Sequence, residues 1–487
     1  MAGTADFGLI GLGVMGENLV LNVESRGFTC AVFNRTVEKV DDFVKGRGAG
    51  KRFIGCHTLQ EFADSLKSPR KIMILVKAGQ PVDDTISHLL PYLKEGDIII
   101  DGGNSYWPDT NRRCKAMKQH NILYVGSGVS GGEEGALRGP SLMPGGDAAA
   151  WPHIKPIFQA IAARVSDTEV ACDWVGDEGA GHFVKMVHNG IEYGDIQLIC
   201  EAYQIMKDLL GMNAEEIGKV FTEWNSGDLE SYLIEITSEI FKVKDTAAPG
   251  YTVDNILDVA GQKGTGRWTV VDAMELGQPI TLIAEAVFSR NLSALKDQRV
   301  EASKILKGPK AKVGAVADKA KFLEALREAL LASKMVSYAQ GFSMIEAAGA
   351  QFKWKLNRGG IALMWRAGCI IRSSFLGKIR DAYALNPSLT NLLLDPWFTE
   401  RMARCQDGWR TVVSTAVLNG IPAPAFATAL AYYDGYRSER LPANLLQAQR
   451  DFFGAHTYER VDQPRGKFFH TDWVGLGGKT TSSTYNA

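Results

Sequence analysis

The sequence predicts a doubly wound α/β domain, then a large all-α domain, and finally a C-terminal tail. In the first third of the chain, short apolar runs alternate with polar, helix-like segments, the pattern of a parallel sheet covered by helices on both faces. From about residue 179, apolar residues recur with a helical period over long segments such as 191–211 and 321–349. We therefore predict domains at 1–178 and 179–437 and a tail at 438–487.

The composition is that of a globular protein with a large core. The chain has 487 residues, of which 45% are hydrophobic and 22% charged, and a net charge of −1 that argues against general attraction to nucleic acid or acidic membranes. Its seven cysteines are scattered, which is typical of free thiols in a reducing compartment. Since no signal peptide, membrane span or metal-ligand cluster is recognisable, we expect a cytoplasmic protein without a metal.

Five apolar runs predict the strands of the first domain, at residues 6–10, 29–34, 71–76, 97–101 and 122–126. The first run leads into Gly11-Leu12-Gly13-Val14-Met15-Gly16, and a helix-like segment follows. Alone, this glycine pattern is weak and could be an incidental cluster. Between a strand and a helix it predicts a Rossmann-like nucleotide site, because glycines let the backbone approach a pyrophosphate at the helix N-terminus.

The end of the second predicted strand indicates which nicotinamide cofactor is bound. An NAD site usually has Asp or Glu there, whereas this chain has Asn34, Arg35 and Thr36. A carboxylate would repel a 2′-phosphate, while an arginine can bind it with two hydrogen bonds. The residues predict NADP, and the alternative is a surface turn with an incidental arginine.

Three later strands lead into loops of small residues, at Val76-Lys77-Ala78-Gly79, at 101–105 with Asn104, and at 129–132 with Ser130, Gly131 and Gly132. Ligands of open α/β sheets bind at the carboxyl ends of the strands. Glycine turns also occur for steric reasons alone, but several around one crevice favour a binding site.

Residues 181–195 place reactive side chains on one face of a predicted helix. Lys185, His188, Asn189, Glu192 and Tyr193 follow the i, i+3, i+4, i+7, i+8 spacing that usually carries apolar residues. A solvated polar face is the alternative interpretation. However, Lys185 and Glu192 lie about 10 Å apart along a helix axis, too far for a surface ion pair.

Two acid–base groups at that separation suit a substrate that exchanges protons at two atoms. Oxidation of a secondary alcohol needs a base for the hydroxyl proton, and a lysine can serve when desolvation lowers its pKa. A carboxylic acid at Glu192 could protonate a carbon elsewhere on the same substrate.

Nine motifs together resemble the 6-phosphogluconate dehydrogenase family. In chain order they are GLIGLGVMG, NRT, DGGNS, GVSGGEEGA, GPSLMPGG, HFVKMVHNGIEYGD, GQKGTGRW, SRNLSA and QAQRDFFGAHTYER. The resemblance runs from about residue 7 into the tail. It implies oxidative decarboxylation of 6-phosphogluconate to ribulose 5-phosphate in the pentose phosphate pathway, with reduction of NADP.

The resemblance also implies roles for single residues. Lys185 takes the C3 hydroxyl proton and later acts as an acid, and Glu192 protonates C1 of the enediol. The implied substrate contacts are Asn104, Ser130, Gly131, Gly132, His188, Asn189 and Tyr193, with Lys263, Thr265 and Arg290 at the phosphate. Arg450 and His456 of the tail are implied to complete the partner subunit's site in a homodimer. The implied cofactor contacts are Gly11, Leu12, Gly13, Val14, Met15, Gly16, Asn34, Arg35, Thr36, Val76, Lys77, Ala78 and Asn104.

Other interpretations stay open at this point. A related β-hydroxyacid dehydrogenase acting on a smaller acid would not need Lys263 or Arg290, and a catalytically silent NADP-binding protein would tolerate loss of Lys185. The tail is either disordered or an arm packed on another surface, and its aromatic residues favour the arm. Two Trp-x-x-Gly sites, at Trp224 and Trp365, indicate either an internal duplication or a coincidence.

Overall fold

The computed structural model describes residues 3–475, 477, 481 and 482. The chain forms two compact units, divided in sequence between Ala429 and Leu430. Of the predicted tail, residues 476, 478–480 and 483–487 lie outside the described part.

The first unit contains an eight-stranded sheet. Its strands are β1 (Phe7–Ile10), β2 (Cys30–Phe33), β3 (Phe53–Cys56), β4 (Lys71–Ile74), β5 (Ile98–Asp101), β6 (Leu123–Ser130), β7 (Ser141–Gly146) and β8 (Gly176–Asp177). The spatial order is β3-β2-β1-β4-β5-β6-β7-β8. Every neighbouring pair is parallel except β6 and β7, which are antiparallel. The strand order reverses between β1 and β4, where open α/β sheets bind their ligands.

All five predicted strands are present and run parallel. The sequence interpretation missed the other three strands of the sheet, of which β3 and β7 are longer than the two-residue β8. Strand β3 is mostly half-exposed, so its sequence FIGC lacks the continuous apolar character of the others. Strand β7 has the sequence SLMPGG, in which proline and two glycines argue against a strand. The interpretation of 129–132 as a loop was also wrong in part, because β6 extends to Ser130.

Helices cover both faces of the sheet. They are α1 (Val14–Ser25), α2 (Glu38–Lys45), α3 (Leu59–Ser65), α4 (Gln80–Leu89), α5 (Trp107–Lys118), α6 (Gly132–Arg138) and α7 (Trp151–Ile161). Apolar residues of α1, α2 and α7 form one buried cluster with the sheet, and those of α3, α4 and α5 contribute to two others. This layering confirms the doubly wound prediction.

In the rest of the described chain the regular secondary structure is helical, as predicted, apart from two short strands near the C-terminus. The helices are α8 (Ala180–Asp208), α9 (Ala214–Trp224), α10 (Tyr232–Ile240), α11 (Thr265–Glu275), α12 (Thr281–Ala294), α13 (Lys296–Ile305), α14 (Lys319–Phe352), α15 (Arg358–Met364), α16 (Leu376–Leu385), α17 (Pro396–Arg404), α18 (Gln406–Leu418), α19 (Pro424–Tyr436) and α20 (Ala443–Gly454). The long helices α8 and α14 pack together and bury an ion pair, with Lys334 Nζ 2.5 Å from Asp195 Oδ2. Trp224 ends α9 and Trp365 follows α15, while the internal duplication stays a prediction.

Helix α8 lies unusually close to the sheet. An ideal Cβ on Gly128 of β6 would come within 2.4 Å of Lys185 Cβ, and one on Gly181 would meet the Gly126 carbonyl oxygen at 2.4 Å. Side chains larger than hydrogen would push the helix away from β6 at both positions. The two glycines therefore allow α8 to pack closely on β6, which brings Lys185 near the edge of the sheet.

The second unit is more ordered than the sequence suggested. It contains α20 and two short antiparallel strands, β9 (Tyr458–Glu459) and β10 (Phe468–Phe469). The unit buries Asp451 among several hydrogen-bond donors, so its described part is ordered and not the disordered tail that was one of the two predicted alternatives. Hydrogen bonds to one carboxylate do not require apolar residues at regular intervals, so the sequence shows no periodic pattern here.

Candidate active site

The loop after β1 has the close backbone approaches that its glycines predict. Gly11 has φ +109°, and an ideal Cβ there would lie 2.3 Å from the Leu75 carbonyl oxygen. A Cβ on Gly16 would lie 2.0 Å from the Gly11 carbonyl oxygen, whereas one on Gly13 would meet nothing within 4 Å. The loop is thus tightly folded on one side and open on the other, at the N-terminus of α1.

A cleft of about 320 Å³ opens beside this loop. Its walls come from residues 13–16, from Leu75 and Val76 after β4, from 102–104 after β5, and from Val129 of β6. The predicted cofactor residues Gly13, Val14, Met15, Gly16, Val76 and Asn104 therefore line one crevice at the point where the strand order reverses. This open space against exposed backbone amides fits the pyrophosphate of a dinucleotide.

Asn34 and Arg35 lie at the end of β2, beside the glycine loop. The Leu12 amide donates to Asn34 Oδ1 at 3.0 Å, and Asn34 Nδ2 donates to the Thr36 carbonyl oxygen at 3.0 Å. Arg35 is exposed and makes no hydrogen bond or ion pair within the described chain, and Lys77 and Ala78 follow β4 at the same edge. A free guanidinium at this position fits a 2′-phosphate.

Lys185 projects from α8 into a buried polar cluster. Its Nζ lies 2.6 Å from Asn189 Oδ1 and 3.2 Å from His188 Nδ1. Burial lowers the pKa of the Lys185 amine, although the negative charge of Glu192 opposes the shift. Lys185 is 5% exposed, so its amine is largely removed from water, which disfavours the charged form.

A small cavity of about 10 Å³ lies beside Lys185. Asn104 and Ser105 form one wall, and Asn189, Thr265 and Trp268 contribute to the others. Asn104 lines both this cavity and the larger cleft, so the amine and the crevice share a wall. Lys185 is therefore placed beside the nucleotide site.

His188 is a fully buried neutral imidazole. Its Nε2 lies 3.0 Å from Ser130 Oγ and 2.8 Å from Cys369 Sγ. Burial, together with the nearby Lys185 amine, holds the pKa of His188 well below its usual range. Sequence reasoning missed Cys369, because the contact joins positions 181 residues apart and the cysteine belongs to no motif.

Glu192 lies one turn beyond His188, with Oε2 4.0 Å from His188 Nδ1. Burial raises the pKa of the Glu192 carboxyl, although Lys185 and Arg290 oppose the shift. A carboxyl with a raised pKa can keep its proton at higher pH and act as an acid.

Two of the three predicted phosphate-site residues, Arg290 and Thr265, lie close to Tyr193. The Arg290 guanidinium stacks 3.5 Å from the centre of the Tyr193 ring and donates to the Gly261 carbonyl oxygen at 3.3 Å. An ideal Cβ on Gly266 would lie 2.5 Å from that ring, so the N-terminus of α11 packs directly on it. Thr265 begins α11, and Lys263 is exposed in the loop before it.

Ser130, Gly131 and Gly132 lie where β6 passes into α6. Gly131 and Gly132 have φ +127° and +63°, and a Cβ on Gly131 would lie 2.7 Å from the Gly368 carbonyl oxygen. The remaining predicted residues, Arg450 and His456, belong to the second unit. There Arg450 Nη1 donates to Gln447 Oε1 at 3.1 Å.

Asp272 is a structural partner of the site that the sequence did not reveal. It accepts hydrogen bonds from Tyr106 OH at 2.6 Å and from Trp107 Nε1 at 2.5 Å, and Tyr106 stacks on Trp268. These contacts join the segment after Asn104 to α11. Burial raises the pKa of the Asp272 carboxyl, although both hydrogen bonds lower it. The partners are more than 160 residues apart, so no local pattern identifies them.

Over the described residues, no helix is both long and apolar enough to cross a membrane. In the same part of the chain, no group of three or more His, Cys, Asp or Glu side chains could hold a metal ion.

A doubly wound domain whose crevice adjoins a buried lysine defines the class of nicotinamide-dependent dehydrogenases. Residues 6–176 match the family model described as the NAD binding domain of 6-phosphogluconate dehydrogenase. Residues 181–473 match the model of the 6-phosphogluconate dehydrogenase C-terminal domain. The chain belongs to the 6-phosphogluconate dehydrogenase family.

Full-length relatives agree with this assignment. The chain is 60% identical over 486 residues to the decarboxylating 6-phosphogluconate dehydrogenase of Dictyostelium discoideum, covering 99% of both chains. It is 61% identical to the Homo sapiens enzyme of the same name over 483 residues, again covering 99% of both. The Plasmodium falciparum 6-phosphogluconate dehydrogenase, solved in apo form, with its cofactor NADP+ and with its substrate 6-phosphogluconate, is similar with a TM-score of 0.92. It is 43% identical, and the match covers 96% of this chain and 100% of that one.

Proposed function

We propose that the protein oxidises and decarboxylates 6-phosphogluconate to ribulose 5-phosphate and carbon dioxide, reducing NADP+ to NADPH in the pentose phosphate pathway. The observation that carries the proposal is the buried Lys185 amine, which shares the wall formed by Asn104 with the dinucleotide crevice. The named relatives, about 60% identical over almost the whole chain, support the same reaction.

Lys185 acts as the base for the C3 hydroxyl. Bound NADP+ supplies the hydride acceptor in this step. The lowered pKa of Lys185 lets its amine take the hydroxyl proton, and Asn189 Oδ1 orients that amine. Once protonated, the ammonium hydrogen-bonds the new C3 carbonyl and stabilises the charge that develops there as C1 is lost as carbon dioxide.

Glu192 acts at the other end of the substrate. Its raised pKa lets the carboxyl donate a proton to C1 of the enediol. Lys185 and Glu192 lie seven residues apart on α8, which separates them along the helix by about 10 Å. This spacing allows one group to serve C3 while the other serves C1.

The charged ends of the substrate have matching groups. Lys263, Thr265 and Arg290 bind the phosphate beside the Tyr193 ring, where the N-terminus of α11 adds backbone amides. Ser130, Gly131, Gly132, His188 and Asn189 hold the carboxylate and hydroxyl groups. Neutral His188 suits this role because it can donate and accept hydrogen bonds without competing with Lys185 for the substrate proton.

Arg35 selects NADP over NAD. Its exposed guanidinium lies directly after β2, and Asn34 holds the neighbouring glycine loop through Leu12. A planar guanidinium binds phosphate bidentately. Thr36, Val76, Lys77 and Ala78 complete the proposed cofactor contacts.

The active form is a homodimer in which each tail completes the partner subunit's site through Arg450 and His456. Exposed apolar residues support an interface, because α12 exposes Phe288 and Leu292, and Leu295 directly after the helix is exposed as well. Helix α20 likewise exposes Leu445, Leu446, Phe452 and Phe453. These residues would be unfavourable in water unless another surface covered them.

The proposed domains are 1–178, 179–437 and a tail at 438–487. The first boundary is supported by the end of the sheet at Asp177 and the start of α8 at Ala180. We place the enzyme in the cytoplasm, a location supported by its seven free cysteines.

A substrate panel tests the proposal. NADPH formation is followed with 6-phosphogluconate, gluconate and 3-hydroxyisobutyrate, each with NADP+ or NAD+. We expect turnover with 6-phosphogluconate and NADP+ well above every other pair. A preference for an unphosphorylated acid would indicate the related β-hydroxyacid dehydrogenase, and no reduction at all would indicate a silent binding protein.

A further inference from the structure

Asp451 is a fully buried carboxylate in the second unit. It lies in the motif QAQRDFFGAHTYER between Arg450 and His456, but no role has been assigned to it above. Its Oδ1 accepts hydrogen bonds from the Thr457 amide at 3.0 Å and from His470 Nδ1 at 2.9 Å. Its Oδ2 accepts from the Thr471 amide at 3.0 Å and from Trp473 Nε1 at 2.9 Å. One side chain therefore joins helix α20, the turn that follows it, and the chain after β10.

The turn held by Asp451 contains His456. Ala455 takes a left-handed conformation with φ 49°, and its amide donates to the Asp451 carbonyl oxygen at 2.9 Å. The residue on the other side, Thr457, has φ 58° and donates its amide to the Asp451 carboxylate. Asp451 therefore holds both neighbours of His456. Its carbonyl oxygen binds the Ala455 amide, and its carboxylate binds the Thr457 amide.

Arg450 is linked to the same turn. Its Nη1 donates to Gln447 Oε1 at 3.1 Å, and Gln447 Nε2 donates to the Thr457 carbonyl oxygen at 2.7 Å. The Gln447 amide therefore bridges the guanidinium of Arg450 and the segment that Asp451 fixes. A change in the position of Thr457 would move both Arg450 and His456.

We propose that Asp451 is a positioning residue that holds Arg450 and His456 in the geometry with which they bind the substrate. The inference rests on the proposed function, in which these two residues complete the partner subunit's site. A carboxylate is suited to this position because all four contacts are donors. An amide would turn its own N–H groups towards two of them.

The first test compares three variants of the full-length dimer. Asp451→Ala removes all four contacts, Trp473→Phe removes one donor while keeping a ring, and Asp462→Ala removes an exposed carboxylate of the same unit that pairs with Arg460. We expect Asp451→Ala to raise the KM for 6-phosphogluconate about tenfold or more, and Trp473→Phe about threefold. The KM for NADP+ should change less than twofold, and Asp462→Ala should match the wild type.

The second test locates the effect in the dimer. Differently tagged Asp451→Ala and Lys185→Met subunits are combined and the mixed dimer is purified. One of its sites then pairs an intact Lys185 with an intact partner tail. We expect that site to show the wild-type KM, with about half the wild-type kcat per dimer. A mixed dimer that keeps the raised KM would contradict the proposal, because Asp451 would then act within its own subunit.

Other outcomes separate this inference from the proposed function. Wild-type protein that forms no NADPH with 6-phosphogluconate overturns both. Wild-type turnover with an unchanged substrate KM in Asp451→Ala overturns the inference alone, as does an equal rise in the KM for NADP+. If Asp451→Ala does not fold, Trp473→Phe decides, since an unchanged substrate KM in that variant also overturns the inference.

Discussion

The Lys185 Nζ atom lies 2.6 Å from Asn189 Oδ1, one helical turn away on α8, and both side chains are buried. The amide oxygen of Asn189 orients the Lys185 amine by a hydrogen bond, and no carboxylate among the described residues lies in direct contact with that amine. Burial therefore dominates and lowers the pKa of Lys185. This relationship makes Lys185 suitable as a base.

Replacement of Lys185 by methionine tests that role. Lys185→Met keeps the length of the side chain but removes the amine, so NADPH formation should fall by about 10³-fold or more. The dissociation constant for NADP+, measured by fluorescence titration, should change less than twofold. Lys207→Met, at the exposed end of the same helix, is the control and should retain full activity. Substantial turnover by Lys185→Met would remove the lysine from the mechanism.

The charge of Glu192 predicts a pH shift with a definite sign. Burial lowers the pKa of Lys185, but the negative charge of Glu192 raises it. Glu192→Gln removes the negative charge that raises the pKa of Lys185, so Lys185 should lose its proton at lower pH. The acidic limb of kcat/KM, measured on the residual hydride transfer, should therefore move to lower pH, while kcat falls by about 10²-fold or more. A limb that stays in place or moves to higher pH would refute the coupling.

Arg35 carries a prediction about cofactor choice. Arg35→Asp replaces the proposed phosphate contact with a repelling charge, so kcat/KM for NADP+ should fall about 10- to 100-fold while that for NAD+ changes little. Lys39→Asp makes the same change of charge at an exposed position of α2 and should leave the cofactor preference unchanged. If Arg35→Asp kept the NADP preference, the selection would lie elsewhere.

Asp272 carries a prediction about stability. Asp272→Ala leaves Tyr106 OH and Trp107 Nε1 without their acceptor, at a cost of about 3 kcal/mol. Asp272→Asn should lose much less, because an amide oxygen can accept from Trp107 while its amino group donates to Tyr106 OH. The thermal midpoint should therefore be highest for the wild type, lower for Asp272→Asn and lowest for Asp272→Ala. Glu275→Ala, which changes an exposed residue of the same helix, is the control and should have a midpoint close to that of the wild type. Equal midpoints for the Ala and Asn variants would contradict this account.

The sequence was informative wherever neighbours along the chain are also neighbours in space. Buried strands such as Ile98–Asp101 are continuous apolar runs, and the glycine loop after β1 is local. The polar face of α8 is likewise local, because helical geometry alone aligns Lys185, His188 and Glu192. Strand β7 was missed for the opposite reason. Its proline and two glycines argue against a strand, and only its pairing with β6 shows that it is one.

Contacts between distant segments were not predictable. Cys369 reaches His188 across 181 residues, and Asp272 reaches Tyr106 across 166. Neither belongs to a periodic pattern, and a single Cys or Asp has no characteristic spacing. Asp451 was hidden for a different reason, because its unit is held by polar bonds to one carboxylate rather than by an apolar stripe.

The most direct test of the proposed reaction counts carbon dioxide against NADPH. The wild-type enzyme is given NADP+ and 6-phosphogluconate labelled with ¹³C at C1, and labelled carbon dioxide is measured together with NADPH absorbance. If the proposed reaction is correct, one molecule of labelled carbon dioxide is released for each NADPH formed. NADPH formation without labelled carbon dioxide would contradict it, because the substrate would then be oxidised without loss of C1.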